Sequence, residues 1–131
     1  METNETTFYH STLWTENNLL CIKLAEDLII DLELAKQMVL DCKINFGAAP
    51  KSILIDVTNL LSIDKEAREF FASVEALEYL ISVAIYTDNI LLSTIGNAWL
   101  TLNKPAIPIR IFSSKDEATK WLSEAKEITQ R

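Results

Sequence analysis

Ser52 to Ser73 reads SILIDVTNLLSIDKEAREFFAS, and the whole chain can be read outward from it. Ile53 to Val57 is a run dominated by branched apolar residues, the mark of a buried strand. A short polar link follows. From Asp64 the period becomes helical: Ala67, Phe70, Phe71, Val74 and Leu77 share one face, while Lys65, Glu66, Arg68 and Glu69 point away from it. Asp64 is placed to cap that helix, because a carboxylate there accepts N–H groups that have no partner inside the helix. A strand followed by an amphipathic helix is therefore the unit to look for elsewhere.

Upstream, Asp31 is an N-cap candidate for a helix from Leu32 to about Phe46. Leu32, Ala35, Val39, Cys42 and Phe46 make its stripe, broadened by Leu34 and Met38, and Gly47 and Pro50 end it. Before it, Phe8 to Thr15 and Leu19 to Leu24 read as two strands around Asn17-Asn18, residues that tolerate the positive φ of a two-residue hairpin turn. That turn sets Trp14 opposite Cys21 and His10 opposite Ala25. Residues 1–7 are polar and read as a loose tail, leaving residues 8–131 as one domain.

Downstream, Leu80 to Tyr86 is almost wholly apolar, as in a strand covered on both faces. Asp88 is the expected cap of a third helix running to about Leu102, with Leu91, Ile95, Ala98, Trp99 and Leu102 facing in. Gly96 within it lowers helix stability by about 1 kcal/mol relative to Ala, which points to a close approach by a neighbour. Asn103-Lys104-Pro105 ends the helix. Ile107 to Phe112 is the last strand, set at an edge by Pro108. Ser114 and Glu117 have capping-box spacing for a final helix whose buried stripe is Ala118, Trp121, Leu122, Ala125 and Ile128.

The order β-β-α-β-α-β-α-β-α implies parallel pairing through right-handed crossovers. The expected architecture is a single α/β domain. Its five-stranded mixed sheet runs in sequential order, with helices mainly on one face.

With 131 residues the chain can bury a real core, and 49% hydrophobic residues with only 2 glycines rule out a low-complexity chain. The formal charge of −7 argues against nucleic acid and anionic membrane surfaces, both of which reward Lys and Arg. The first residues have no apolar segment of the signal-peptide kind. No apolar run reaches the roughly 18 residues a membrane helix needs. A soluble cytoplasmic protein with two reduced cysteines, Cys21 and Cys42, is the expectation.

This order of elements, with the central stretch, resembles the STAS domains of anti-sigma-factor antagonists, the SpoIIAA-like proteins. The resemblance spans about residues 8–122 and rests on element order and scattered positions. Asp56 matches the family's strand-end Asp, and Ile63-Asp64 match the pair before its Asp-Ser-Ser-Gly motif. Lys65 and Glu66 fall where the family has its two serines, and Ala67 falls on the glycine. The second of those serines is the one phosphorylated in the family, so Glu66 departs from the partner-switching chemistry. The later segment IGNAWLTLNKPAIPIRIFSSKDEATKWL looks like a group of bacterial STAS-like proteins without an assigned activity.

The resemblance implies a protein-interaction module whose binding face is the start of the second helix: Ser62, Asp64, Lys65, Glu66 and Glu69. Glu66 also has a plain structural explanation, since a negative charge in the first turn of a helix is favoured by roughly 0.3–1 kcal/mol. No catalytic set, metal cluster or phosphate loop is visible, so neither enzymatic activity nor a cofactor is expected. The lone His10 reads as a surface or hairpin-face residue, and a Cys21–His10 pair is discounted on register. Asp56, Asp64 and Asp88 lie near strand ends, where ligands gather in open α/β sheets, but capping accounts for Asp64 and Asp88. A homodimer is compatible with such a module. The alternative is carriage of a small apolar or lipid-like molecule, as in CRAL-TRIO-like proteins, in a cavity near Trp99.

Overall fold

The computed structural model describes residues 5–47 and 49–130, with side chains as far as Glu124. Strand β1 (Thr6–Thr7) pairs antiparallel with β2 (Ser11–Glu16), which pairs antiparallel with β3 (Leu19–Leu24). Asn17 and Asn18 have φ of 53° and 65°, so the β2–β3 turn is the expected one. Trp14 lies opposite Cys21, and the Ala25 amide donates to the His10 carbonyl at 2.9 Å. Two readings change here. Thr6 and Thr7, placed in the loose tail, extend the sheet, and β2 begins only at Ser11 because the chain turns at Phe8, whose amide donates to the Ser11 carbonyl.

Next come β4 (Leu28–Ile30) and helix α1 (Leu32–Phe46), capped by the Asp31 carboxylate and ended at Gly47 with φ of 76°. The quoted stretch and its immediate flanks supply β5 (Lys51–Asp56), β6 (Leu60–Ile63), α2 (Lys65–Phe71) and the short α3 (Val74–Leu77). The link thus holds a strand that alternation did not show, for β6 pairs only with β4, in a separate two-stranded ribbon. The second helix is also broken. Ser73 caps a new turn through the Ala76 amide, which turns Val74 outward (79% exposed) while Leu77 stays buried. Then follow β7 (Leu80–Tyr86), α4 (Ile90–Asn103), β8 (Ile109–Phe112) and α5 (Lys115–Gln130). Ser114 accepts from the Glu117 amide at the start of α5, as its spacing predicts. The side chains of Ala125 and Ile128 of the expected stripe lie outside the described ones.

The main sheet has six strands in the order β1-β2-β3-β5-β7-β8, sequential as expected but one strand larger. From β3 onward its strands are parallel, and β8 forms the far edge. Each strand lies beside its predecessor, so the crossovers put α1 to α4 on one face. Helix α5 packs alone on the other, against β5, β7 and β8.

The two faces are built differently. Under α5 the sheet presents small residues, Ser82 and Ala84, both 0% exposed, against Ala118 and Leu122, also at 0%. Ser82 and Ala84 facing Ala118 let the helix axis come close, and Leu122 fills the remaining space, as dense packing requires. Ser52 and Ser82 share a hydrogen bond of 3.0 Å across β5 and β7, which satisfies both buried hydroxyls. The opposite face carries larger branched residues, among them Ile53, Ile55, Val83, Ile85 and Ile109.

Candidate functional site

Between that branched face and helices α1 to α4 lies an apolar cavity of about 260 Å³. Ile22, Ile53, Ile55 and Val83 form its floor, and Met38, Cys42, Phe71 and Trp99 reach over it from the helices. The space is a cleft partly open to solvent rather than a sealed void, for its wall residues Ile95 and Tyr79 are exposed.

Helix α4 forms one wall, and none of its residues is buried. Leu91 is 67% exposed, Leu102 82% and Ala98 is exposed too, so most of the inward stripe read from the sequence does not form. Leu92, Ile95, Gly96 and Trp99 face the cavity rather than a packed core. The cap is also displaced. Asn89, not Asp88, accepts the Leu91 and Leu92 amides at 2.9 and 3.2 Å. Its own amide is tied back to the Thr87 hydroxyl.

Gly96 does mark a close approach, for a Cβ there would meet the tip of Ile111. Because Ile111 borders the cavity, its terminal methyl has room to swing aside. Gly96→Ala is accordingly expected to be neutral or to stabilise by up to about 1 kcal/mol in urea unfolding, through helix propensity. A loss of 2 kcal/mol or more would show that Ile111 has no such room.

The polar groups at the cavity are few. Arg68 borders it and donates to the Ile63 carbonyl at 2.7 Å. Lys43 donates to the Glu75 carbonyl and pairs with Glu78 at 3.3 Å. The Lys51 ammonium donates to the carbonyls of Gly47 and Ala49, and desolvation holds it below the usual lysine range. The Trp99 indole N–H is buried without an acceptor among the described residues. Such an orphan donor costs about 1–3 kcal/mol.

The sequence-predicted binding face forms as a surface. Ser62, Asp64, Lys65, Glu66 and Glu69 are all exposed around the start of α2. Asp64 accepts the Ala67 amide at 2.9 Å and its own amide donates to the Ile30 carbonyl, so capping is its evident task. Beside this group, the β4–β6 ribbon exposes Ile29 (61%) and Leu61 (59%), a small apolar pair that the sequence reading passed over. Asp56 accepts the Thr58 amide at 2.9 Å and is absent from the cavity wall, so its strand-end carboxylate stabilises a turn.

His10 overturns its expected exposure: it is 1% exposed and its ring is held on both sides. Nδ1 lies 2.6 Å from Ser11 Oγ and Nε2 lies 2.9 Å from Asp41 Oδ2, while Gln37 donates to the other Asp41 oxygen. Phe8 stacks on the ring at 5.1 Å. A serine, histidine and aspartate in line invite comparison with a hydrolytic triad, but the arrangement runs backwards. In the protease triad the carboxylate holds Nδ1 and the serine faces Nε2. Here Ser11 is also 2% exposed and borders no described cavity. The network pins α1 to the hairpin. Asp41→Ala is expected to destabilise by about 1–3 kcal/mol in urea unfolding, because the buried Nε2 loses its partner.

Burial pushes the thiols of Cys21 and Cys42 from 9.0 up to about 11. Both stay protonated, and reaction with a thiol reagent at pH 8 should be far slower than for a free cysteine. The folded state holds these protons more tightly than the unfolded chain. Their contribution to stability is thus present below pH 9 and lost as pH rises towards 11.

Set together, a sequentially ordered sheet, crossover helices on one face and a lone helix on the other define the SpoIIAA-like, or STAS, class of fold. A solved structure of that class aligns with the chain: an uncharacterized protein of the DUF3478 family with a SpoIIAA-like fold, from Shewanella loihica PV-4. It has a TM-score of 0.60 and 19% identity, covering 89% of this chain and 98% of that one. Residues 13–126 match the family described as Domain of unknown function (DUF7793), and the chain belongs to that family. No curated protein matches it. Among the described residues, no helix is long and apolar enough to cross a membrane.

Proposed function

We propose that the protein binds a small apolar, lipid-like molecule in the space under α4. The observation that carries this is the cavity itself: about 260 Å³, lined almost wholly by hydrocarbon, with one wall made by a helix that buries none of its own residues. Ligand pockets are concave and mostly apolar, with a few polar groups that fix orientation. At about 260 Å³ the space lies just below the usual range of ligand pockets, which suits a medium-length chain or a small ring system.

Native mass spectrometry of freshly purified protein tests the reading. A retained mass in the lipid range, lost on delipidation and restored by a medium-chain alcohol, is the expected result. Clean ligand-free protein that ignores both alcohols and fatty acids in a fluorescence titration would refute it. Trp99 is the natural reporter, because Trp14 and Trp121 pack on the α5 face.

A second reading keeps the protein-interaction role that the STAS resemblance implies, without phosphorylation at Glu66. The apolar pair Ile29 and Leu61 beside Ser62, Asp64, Lys65, Glu66 and Glu69 favours it, since a small apolar centre with a charged rim suits a weak docking face. A partner or second copy bound there should be lost on Leu61→Glu and weakened by Glu66→Lys. Glu66→Ser should leave the fold intact. If both Glu66 variants and Leu61→Glu bind a recovered partner as the wild type does, this face is not the contact.

A further inference from the structure

The charges around the cavity run against those of the chain. The protein carries 19 acidic residues against 12 basic ones. The cavity wall reverses this, with Lys43, Lys51 and Arg68 against the single carboxylate of Glu78. The three cations come from three separate elements or their edges, so no local charge run accounts for all three bordering the cavity. They are also unequal. Lys43 is taken up by Glu78 and by the Glu75 carbonyl. Lys51 is tied to two carbonyls of its own loop. Arg68 meets no carboxylate within salt-bridge distance among the described residues. It spends one N–H on the Ile63 carbonyl, while a guanidinium has five to give in a fork that matches a carboxylate or phosphate.

Apolar walls with a cation left over at the border are what an anionic amphiphile requires. Its chain fills the hydrocarbon space, and its head group pairs with a guanidinium that no carboxylate of the described residues takes up. We infer that the ligand is a medium-length apolar chain ending in one anionic group, a carboxylate or a phosphate monoester, with Arg68 as the residue that receives the head. This rests on the carrier reading above and narrows it from any apolar molecule to an anionic one.

The two can fail separately. The wild-type protein is titrated with decanoate, decyl phosphate and decanol, three probes of one chain length, using Trp99 fluorescence and native mass spectrometry. At least one anionic probe is expected to bind ten times or more tighter than decanol, and the tighter of the two names the head group. Arg68→Gln should bring that ratio close to one while leaving decanol affinity within about twofold, and Arg68→Lys should restore part of it. Equal binding of all three probes to the wild type overturns the head-group assignment and leaves the carrier standing. Binding of none removes the carrier reading itself. A ratio that survives Arg68→Gln but collapses in Lys51→Gln moves the head to the other cation and overturns the assignment to Arg68. Should Arg68→Gln fail to fold, the wild-type ratio decides by itself whether the ligand is anionic.

Discussion

Leu122→Ala is expected to destabilise the protein by about 3–5 kcal/mol, enough to lower Tm by about 10–20 °C. Leu122 is 0% exposed and belongs to the cluster in which α5 meets Cys21, Leu54 and Ala84. Its neighbours there are either small or fixed in the sheet, so the void left by truncation cannot be refilled by local movement. Cost depends on how far a site can collapse, and the sheet side of this one is fixed by strand pairing. The matching change on the opposite face should behave quite differently. Ile95 of α4 is already 49% exposed and borders open space, so Ile95→Ala should cost less than about 1 kcal/mol. Urea unfolding of the two variants compares the faces directly. Equal losses would mean that α4 is packed as tightly as α5 and that no cavity of this size lies beneath it.

That contrast also marks the limit of what the sequence made legible. Local signals were strong wherever local chemistry decides the outcome. Asn17-Asn18 announced the hairpin and its register, Asp31 and Asp64 announced helix starts, and the apolar run from Leu80 to Tyr86 announced an interior strand. Sequential strand order followed from the alternation of elements. The β4–β6 ribbon escaped because each strand is only three or four residues long, too short for a period to show.

Helix α4 misled for a different reason. From Ile90 to Asn103 it has no charged residue, so its apolar positions surround the axis and any chosen stripe looks convincing. A cavity near Trp99 is expected from the sequence only through likeness to CRAL-TRIO-like proteins, because an absence of atoms leaves no periodic pattern in the chain. His10 and Asp41 are 31 residues apart, and only the packing of α1 on the hairpin joins them. Arg68 reads as an ordinary solvated face residue on a helical wheel. Its position at the cavity appears only when α2 is laid over the sheet.

Filling the space should act in opposite directions on stability and on ligand binding. Ala76 of α3 borders the cavity and is 6% exposed, so a larger apolar side chain grows inward rather than into water. Ala76→Leu adds three carbons, and at ~0.8 kcal/mol per buried methylene the gain is up to about 2.4 kcal/mol. Some of that will be offset by lost rotamer freedom of the new side chain. The same carbons take volume from the chain of the ligand, and affinity for decanoate should fall tenfold or more. Cys42→Met, from the facing helix α1, should act in the same direction with a smaller gain, because methionine is flexible enough to follow an irregular wall. Opposite signs on stability and binding are the signature of a filled pocket. A well-packed site would respond to Ala76→Leu with a loss of about 1–3 kcal/mol from overpacking. A variant more stable than the wild type that still binds decanoate normally would place the ligand outside this cavity.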